Sequence, residues 1–497
     1  MSYCTRILEG IGTEIGFVAS GATAYAVPVV ISKKYEHMIS DEQLVIIHDT
    51  HYPSTLFLGV LRKLTRYEPF LRERVRTVYV DYPELISESE LYTFTNVVAL
   101  LYAELDTKEG VAHECIHAPF PGSKVYLVER GEYLSKFLRV NNALEVGVHK
   151  FSDWVLPLDP KYLTYHVGVF GATGTGKSRL IKALIDEILK KTDYSVIVFD
   201  HTGVDYVPFY RDYVVPSDTI KISPPLIASV IAKLANLSWS TYGDYLEITC
   251  MEYVTGGKRS SKQVQLQSIC REVNNGIVLG GCWSKKKFIE KLTANITNLG
   301  GRRATARKAE LFIDYYLDDS FFDSLNQRVL PPKYIVEKAL RERLVVVDLS
   351  RDRELAIKQA IVKDVMEEVW RLVKEYQRPV KVGIVIDEAQ NYVSEEWSIC
   401  GDVIETTVRE GRKWQYFVIL ASQRVARDIR PSVRANLGTV FFSRLQATGD
   451  LRELGGYLDL GGVTEASLAQ LGTREFFVAG LMNPLRRPIL IKVREVS

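Results

Sequence analysis

Hydrophobic positions along the chain fall into two regimes. Over the first 150 residues they come in short β-branched runs: "AYAVPVVI" (24–31), "EQLVIIHD" (42–49), "TLFLGVL" (55–61) and "SKVYLVE" (123–129). Gly, Pro and polar turns separate them. Runs of this length and spacing predict a small β-barrel or sandwich. From Tyr165 the pattern changes. "HVGVFG" reads as a buried strand, "KSRLIKALIDEILKK" as the helix after it, and "YSVIVFD" (194–200) as a second buried strand. Together they make a β-loop-α-β unit of a parallel sheet. Residues 206–340 carry helical stretches with few strand signals: "LIASVIAKLANL", "KQVQLQSICREV", "KKKFIEKLTANI" and "RKAELFIDYYL". Strands resume with "RLVVVDL" (343–349), "VKVGIVID" (380–387), "YFVILAS" (416–422), "GTVFFSR" (438–444), "REFFVAG" (474–480) and "PILIKV" (488–493). An amphipathic helix is expected over about 353–376, N-capped by Ser350. It sets Leu355, Ile361, Val362, Val365, Val369 and Leu372 on one stripe.

The expected domains are therefore 1–150 (β-rich), 151–205 and 341–497 (two parts of an α/β core), and 206–340 (a helical insertion). A chain of 497 residues has ample material for several buried cores. Its 46% hydrophobic and 25% charged residues are those of a soluble globular protein. A net charge of +2 announces no polyanion partner on a global scale. The run "NVVALLYAEL" (96–105) is too short to span a bilayer and ends in a charge, and no apolar leader opens the chain. A cytoplasmic location without membrane contact is expected. Six scattered cysteines (Cys4, Cys115, Cys250, Cys270, Cys282, Cys400) form no C-x-x-C pair, which speaks for reduced thiols rather than disulfides or a zinc ribbon.

Candidate chemistry centres on "GATGTGKS". Gly171, Ala172, Thr173, Gly174, Thr175, Gly176, Lys177 and Ser178 fit G-x-x-x-x-G-K-[ST], and Arg179 follows. Glycines let the backbone curl so that its N–H groups surround phosphates at a helix N-terminus. In this pattern Lys177 contacts the β- and γ-phosphates of ATP, and the Ser178 hydroxyl binds Mg²⁺. "VGIVIDEAQ" (382–390) is the expected partner, a buried strand ending in two carboxylates. Asp387 would complete the Mg²⁺ shell and Glu388 would polarise the attacking water. "VILASQR" (418–424) ends the next strand, where Gln423 is placed to sense the γ-phosphate.

This combination, with "FDHTG" after the second strand and "VREGRKWQ" before "LASQR", resembles the HerA/FtsK group of hexameric DNA-pumping ATPases, most of all the mainly archaeal HerA branch. The resemblance implies a RecA-like P-loop NTPase core with an N-terminal β-barrel and a helical insertion. It also implies a hexameric ring acting on double-stranded DNA irrespective of sequence, with a NurA-type nuclease, in end resection for recombinational repair. "REGRK" (409–413) maps Arg412 to the family's finger, an arginine that reaches the ATP of a neighbouring subunit. A helix of about 20 residues, roughly 394–413, is expected to carry it. One departure stands out: where the family has an acid directly after the glycine of D-x-x-G-E, this chain has Val204, leaving Asp205 to supply the carboxylate.

Two other readings stay open. The core motifs alone also suit a P-loop ATPase that remodels protein complexes. "HECIH" fits the H-E-x-x-H of zinc proteases, with His113 and His117 as ligands on one helix face and Glu114 as base. Finally, residues 251–310 hold twelve Lys or Arg against four acids, a face either solvated or contacting DNA phosphates.

Overall fold

The computed structural model describes residues 7–8, 10–67, 81–82, 94–255, 283–394, 398–425, 428–446 and 449–495. The chain forms two compact units. One comprises Met1–Tyr162, Ala172–Glu187 and Thr439–Ser497; the other comprises Leu163–Gly171 and Ile188–Gly438.

The first unit opens with β1 (Glu14–Val18), β2 (Ala26–Ile31), β3 (Leu44–His48), β4 (Thr55–Tyr67), β5 (Phe94–Asp106), β6 (Val111–His113) and β7 (Lys124–Leu127). All neighbours are antiparallel in the order β2-β1-β7-β3-β4-β5, and β2 pairs with β5 to close the ring; β6 adds to β5 outside it. The period-2 pattern explains the interior. Val27, Val29 and Ile31 of β2 meet Val45 and Ile47 of β3, Phe57 and Leu61 of β4, and Val97, Ala99 and Leu101 of β5 in one core. Closure leaves no open sheet edge around the ring. The expected barrel is present.

The same unit holds a four-stranded antiparallel sheet, β15 (Thr439–Phe442), β16 (Glu475–Gly480), β17 (Ile489–Val493) and β8 (Gly147–His149), in that order. Arg62, on β4, is only 3% exposed. Its Nε and Nη2 both donate to the Glu42 carboxylate at 2.8 Å. It also donates to the carbonyls of Gly461 and Pro488, the latter at 3.1 Å. Burial pushes the Glu42 carboxyl up while Arg62 pulls against it. Such a pair adds little net stability, but losing one partner strands a buried charge.

The second unit is a parallel sheet of β11 (Val214–Pro216), β12 (Leu344–Asp348), β10 (Ser195–Asp200), β13 (Val382–Ile386), β14 (Tyr416–Ser422) and β9 (Val167–Phe170), in that order. Five of these strands are buried at every residue, which is why they read as unbroken apolar runs. Although β9 and β10 are consecutive in the chain, β14 and β13 lie between them. The helix α1 (Lys177–Lys191) connects the pair. The long helix α8 (Leu355–Tyr376) follows β12. Its N-cap is Glu354, not Ser350, because Leu349–Arg351 form a 3-10 turn capped by the Asp348 side chain.

Between β11 and β12 run α2 (Pro224–Leu234), α3 (Trp239–Thr255), α4 (Lys285–Asn298), α5 (Arg303–Tyr316), α6 (Asp319–Gln327) and α7 (Pro332–Glu342). The region read as helical therefore also contributes the strand β11, three residues between 3-10 turns and too short to show a period. Both α2 and α7 pack on α8, and α7 also covers β10 and β12. The stretch "KQVQLQSICREV", with Cys270, lies outside the described residues, as do Cys4 and Cys282; Cys115, Cys250 and Cys400 are free thiols. Among the described residues no helix is long and apolar enough to cross a membrane.

Candidate nucleotide site

Strand β9 ends at Phe170, and the Gly171 N–H donates to the Ser422 carbonyl at 3.3 Å, fixing where the loop leaves the sheet. In the first unit the Ala172 N–H donates to the Arg444 carbonyl at 2.7 Å. The Thr175 hydroxyl, fully buried, donates back to the Ala172 carbonyl at 2.7 Å. Gly174 and Gly176 have φ of +80° and +98°, where a side chain would strain the backbone. Lys177 opens α1, and its Nζ lies 3.4 Å from the Ala172 carbonyl. Thr173, Gly174 and Arg179 are exposed, and Ser178 is half-buried. This is a loop of backbone N–H groups at a helix N-terminus, a geometry suited to phosphates.

In the second unit the carboxyl ends of β10 and β13 gather acids. Asp200 is fully buried and organises the loop after β10. One oxygen accepts from the N–H groups of Thr202 and Gly203 at 3.2 and 2.9 Å, and the other from Tyr206 and Val207 at 2.8 and 3.1 Å. Gly203 has φ of +73°, and a Cβ there would meet Ser350 Oγ at 2.6 Å, so only glycine fits. Val204 is turned outward at 69% exposure, so Asp205 is the acid that joins the group. Thr202 Oγ1 donates to Asp205 at 2.9 Å. Tyr206, unnoticed in the sequence, buries its phenol here without a hydrogen-bond partner among the described residues.

Asp387 is 3% exposed. Burial, and then the charges of Asp205, Glu388 and Asp200, push its carboxyl up to about 7. Glu388, two residues beyond the end of β13, adopts φ of +49°, a strained conformation. Gln390 Nε2 donates to it, and Gln423 Nε2 lies 3.4 and 3.3 Å from its two oxygens. Ser422 Oγ lies 3.0 Å from Gln390 Oε1 and 2.9 Å from Asp428 Oδ2, one of which accepts its proton. The structure thus brings Asp387, Glu388 and Gln423 together, and adds Gln390, two residues beyond the acids.

A buried carboxyl raised by burial and by neighbouring acids is a donor suited to a hard divalent cation. Because Asp387 must lose its proton to ligate, Mg²⁺ affinity is expected to rise about tenfold per pH unit up to about pH 7 and to level off above it. Calorimetric Mg²⁺ titrations across this range, with Asp387→Asn as the flat control, check the sign and the midpoint.

Arg412 lies elsewhere. The expected helix of about 20 residues is absent: α9 covers Gly401–Glu410, and a 3-10 turn, Gly411–Trp414, follows. Ser398 and Cys400 are tied to the Tyr392 carbonyl, which keeps the preceding chain out of the helix. Arg412 is exposed on that turn, its guanidinium 3.8 Å over the Tyr165 ring. The zinc-protease arrangement is not formed either. His113 ends β6, and the Ile116 and His117 N–H groups both donate to Glu104 at 2.7 Å, so no helix carries both histidines. His117 Nδ1 lies 3.0 Å from Glu104 Oε2, a partner that holds the ring locally.

Comparison with known proteins agrees with this layout. Residues 144–369 match the central domain of helicase HerA. No curated protein gives a significant match. Among solved structures, VirB4 of Thermoanaerobacter pseudethanolicus aligns with a TM-score of 0.51 and 17% identity, over 71% of this chain and 97% of that one. The plasmid coupling protein TrwB, in complex with ADP and Mg²⁺, aligns with a TM-score of 0.50 and 16% identity, over 75% and 93%. These are likenesses of fold. With the phosphate loop and the Asp387–Glu388 pair, the match over residues 144–369 makes the central region of this chain similar to the central domain of helicase HerA.

Proposed function

We propose that the protein is an ATP-driven translocase or helicase of double-stranded DNA. It acts as a hexameric ring in the cytoplasm, with a NurA-type nuclease, in end resection for recombinational repair. The observation that carries the ATPase part is Glu388, in a strained conformation just past β13 and held by two glutamine amides beside a buried aspartate. In this reading the Gly171–Ser178 loop and Arg179 hold ATP, and Lys177 contacts the β- and γ-phosphates. Ser178 and Asp387 hold Mg²⁺, which when bound neutralises charge developing on the phosphate oxygens. Glu388 orients and polarises the attacking water. Gln423, bonded to Glu388, senses the γ-phosphate.

DNA enters the proposal through family likeness and through charge. TrwB is a plasmid coupling protein by its description, and the 251–310 segment is basic. Lys258, Arg259, Lys262 and Arg271 of that segment lie outside the described residues. Lys285 is paired with Asp314 at 2.9 Å, Lys291 with Glu252 at 3.7 Å and Arg307 with Glu310 at 2.8 Å. That leaves Lys286, Lys287, Arg302, Arg303 and Lys308 as exposed cations on α4 and α5 and the link between them.

ATP hydrolysis is expected to rise several-fold on adding duplex DNA of any sequence. A rate indifferent to DNA would instead favour remodelling of protein complexes. Binding is expected to weaken steeply with salt, as phosphate contacts do. Reversing Lys286 and Lys287 to Glu should flatten the salt slope by about 0.9 for each lysine that meets a phosphate. An unchanged slope assigns α4 to solvent.

A further inference from the structure

We propose that Arg474 is a nucleotide-binding residue: its guanidinium exchanges Glu495 for the phosphates of the nucleotide held by the Ala172–Ser178 loop. This rests on the reading of that loop as an ATP site.

Arg474 has φ of +66°, a left-handed conformation that glycine would adopt without strain. Its N–H donates to the Thr175 carbonyl at 2.8 Å, within the phosphate loop itself. A glycine would make that bond equally well, so the bond does not explain the side chain. The stem lies along Gly176: a Cβ on that glycine would come within 3.0 Å of Arg474 Cγ. Gly176 directly precedes Lys177, so the arginine runs beside the backbone over which phosphates sit at a helix N-terminus.

The backbone under Arg474 is fixed. Glu475, 8% exposed, accepts from Lys150 Nζ at 2.8 Å and from the Gly472 N–H at 2.8 Å, while Ser443 Oγ donates to the Glu475 carbonyl at 2.7 Å. Only the side chain of Arg474 is free to move. Its present partner is Glu495 Oε1 at 3.1 Å, a carboxylate whose side chain is 86% exposed. An ion pair with one end so exposed is weak. A phosphate offers more charge and two acceptors to a planar guanidinium, and so outcompetes it. Glu495 then competes with the phosphates for the arginine.

The test is equilibrium binding of Mg²⁺–ADP and of a non-hydrolysable Mg²⁺–ATP analogue to the full chain. Arg474→Gly keeps the backbone conformation and the Thr175 bond, so folding is retained, and should lose about tenfold or more in affinity for both nucleotides. Arg474→Lys should recover part of it, and Glu495→Gln should tighten binding by up to about fivefold. Affinities within twofold of wild type in Arg474→Gly would overturn the proposal, as would a loss confined to the triphosphate analogue. Lys177→Ala, run alongside, separates the two readings: if it too binds normally, the loop is not the nucleotide site at all.

Discussion

Glu388→Gln is expected to bind ATP as the wild type does and to hydrolyse it about 10²–10⁴-fold more slowly. The replacement keeps size and shape but removes the charge that draws a proton from water. The site magnifies that loss, because the amides of Gln390 and Gln423 hold the carboxylate in one orientation. Lys177→Ala should behave differently. It removes a cation from the loop, so triphosphate binding itself weakens or turnover is abolished. Filter binding with radiolabelled ATP, followed by single-turnover hydrolysis, distinguishes the two. Wild-type hydrolysis in Glu388→Gln would sink the catalytic assignment.

Arg412→Ala is expected to lower turnover by about 10³–10⁵, the range for arginines supplied to a phosphoryl group by a neighbouring subunit. The ten-residue α9 spans about 15 Å, half the expected length, so a long arm does not carry this arginine outward. Its immediate setting supports the role instead. Arg412 is exposed on a 3-10 turn and lies flat on the Tyr165 ring. A stacked guanidinium keeps its in-plane N–H donors turned to the outside. If Arg412 acts on a neighbour's ATP, the defect is repairable in mixtures. An Arg412→Ala subunit keeps a sound loop, a Lys177→Ala subunit keeps a sound arginine, and a ring containing both rebuilds some competent sites. Mixed rings with demonstrated subunit exchange and no recovered hydrolysis would count heavily against action in trans.

Local patterns told most about the central strands. Val167–Phe170, Ser195–Asp200 and Tyr416–Ser422 match their apolar runs closely, because a strand buried on both faces keeps its polar residues to its ends. The loop from Gly171 to Ser178 and the Asp387–Glu388 pair were legible for a related reason: their chemistry is set by neighbours in sequence. What depends on distant partners was hidden. Nothing local says that β14 and β13 separate β9 from β10. β11 has three residues and β8 three, too few for any period to show. Gln390 stood in plain view beside the acids, but its bond to Glu388 exists only once the chain turns there. Asp205, by contrast, was already readable as the acid left once Val204 follows the glycine, and Val204 faces outward. Arg474 is a surface arginine in sequence and a neighbour of the phosphate loop in space.

Arg62 also carries a consequence for the order in which the protein is made. Two of its hydrogen-bond acceptors are the carbonyls of Gly461 and Pro488, 399 and 426 residues further along the chain. At about 5–20 residues per second, a ribosome needs roughly 20–80 s to reach them after finishing β4. Throughout that interval Arg62 has Glu42 but lacks these two carbonyls, and by its end everything the second unit requires, up to Gly438, has been made. The first unit is therefore the last to be completed, because β15, β16 and β17 follow Gly438. Ribosome-bound chains arrested after Gly438 should protect the parallel sheet from protease while leaving β8 open to cutting, and chains extended past Val493 should protect both.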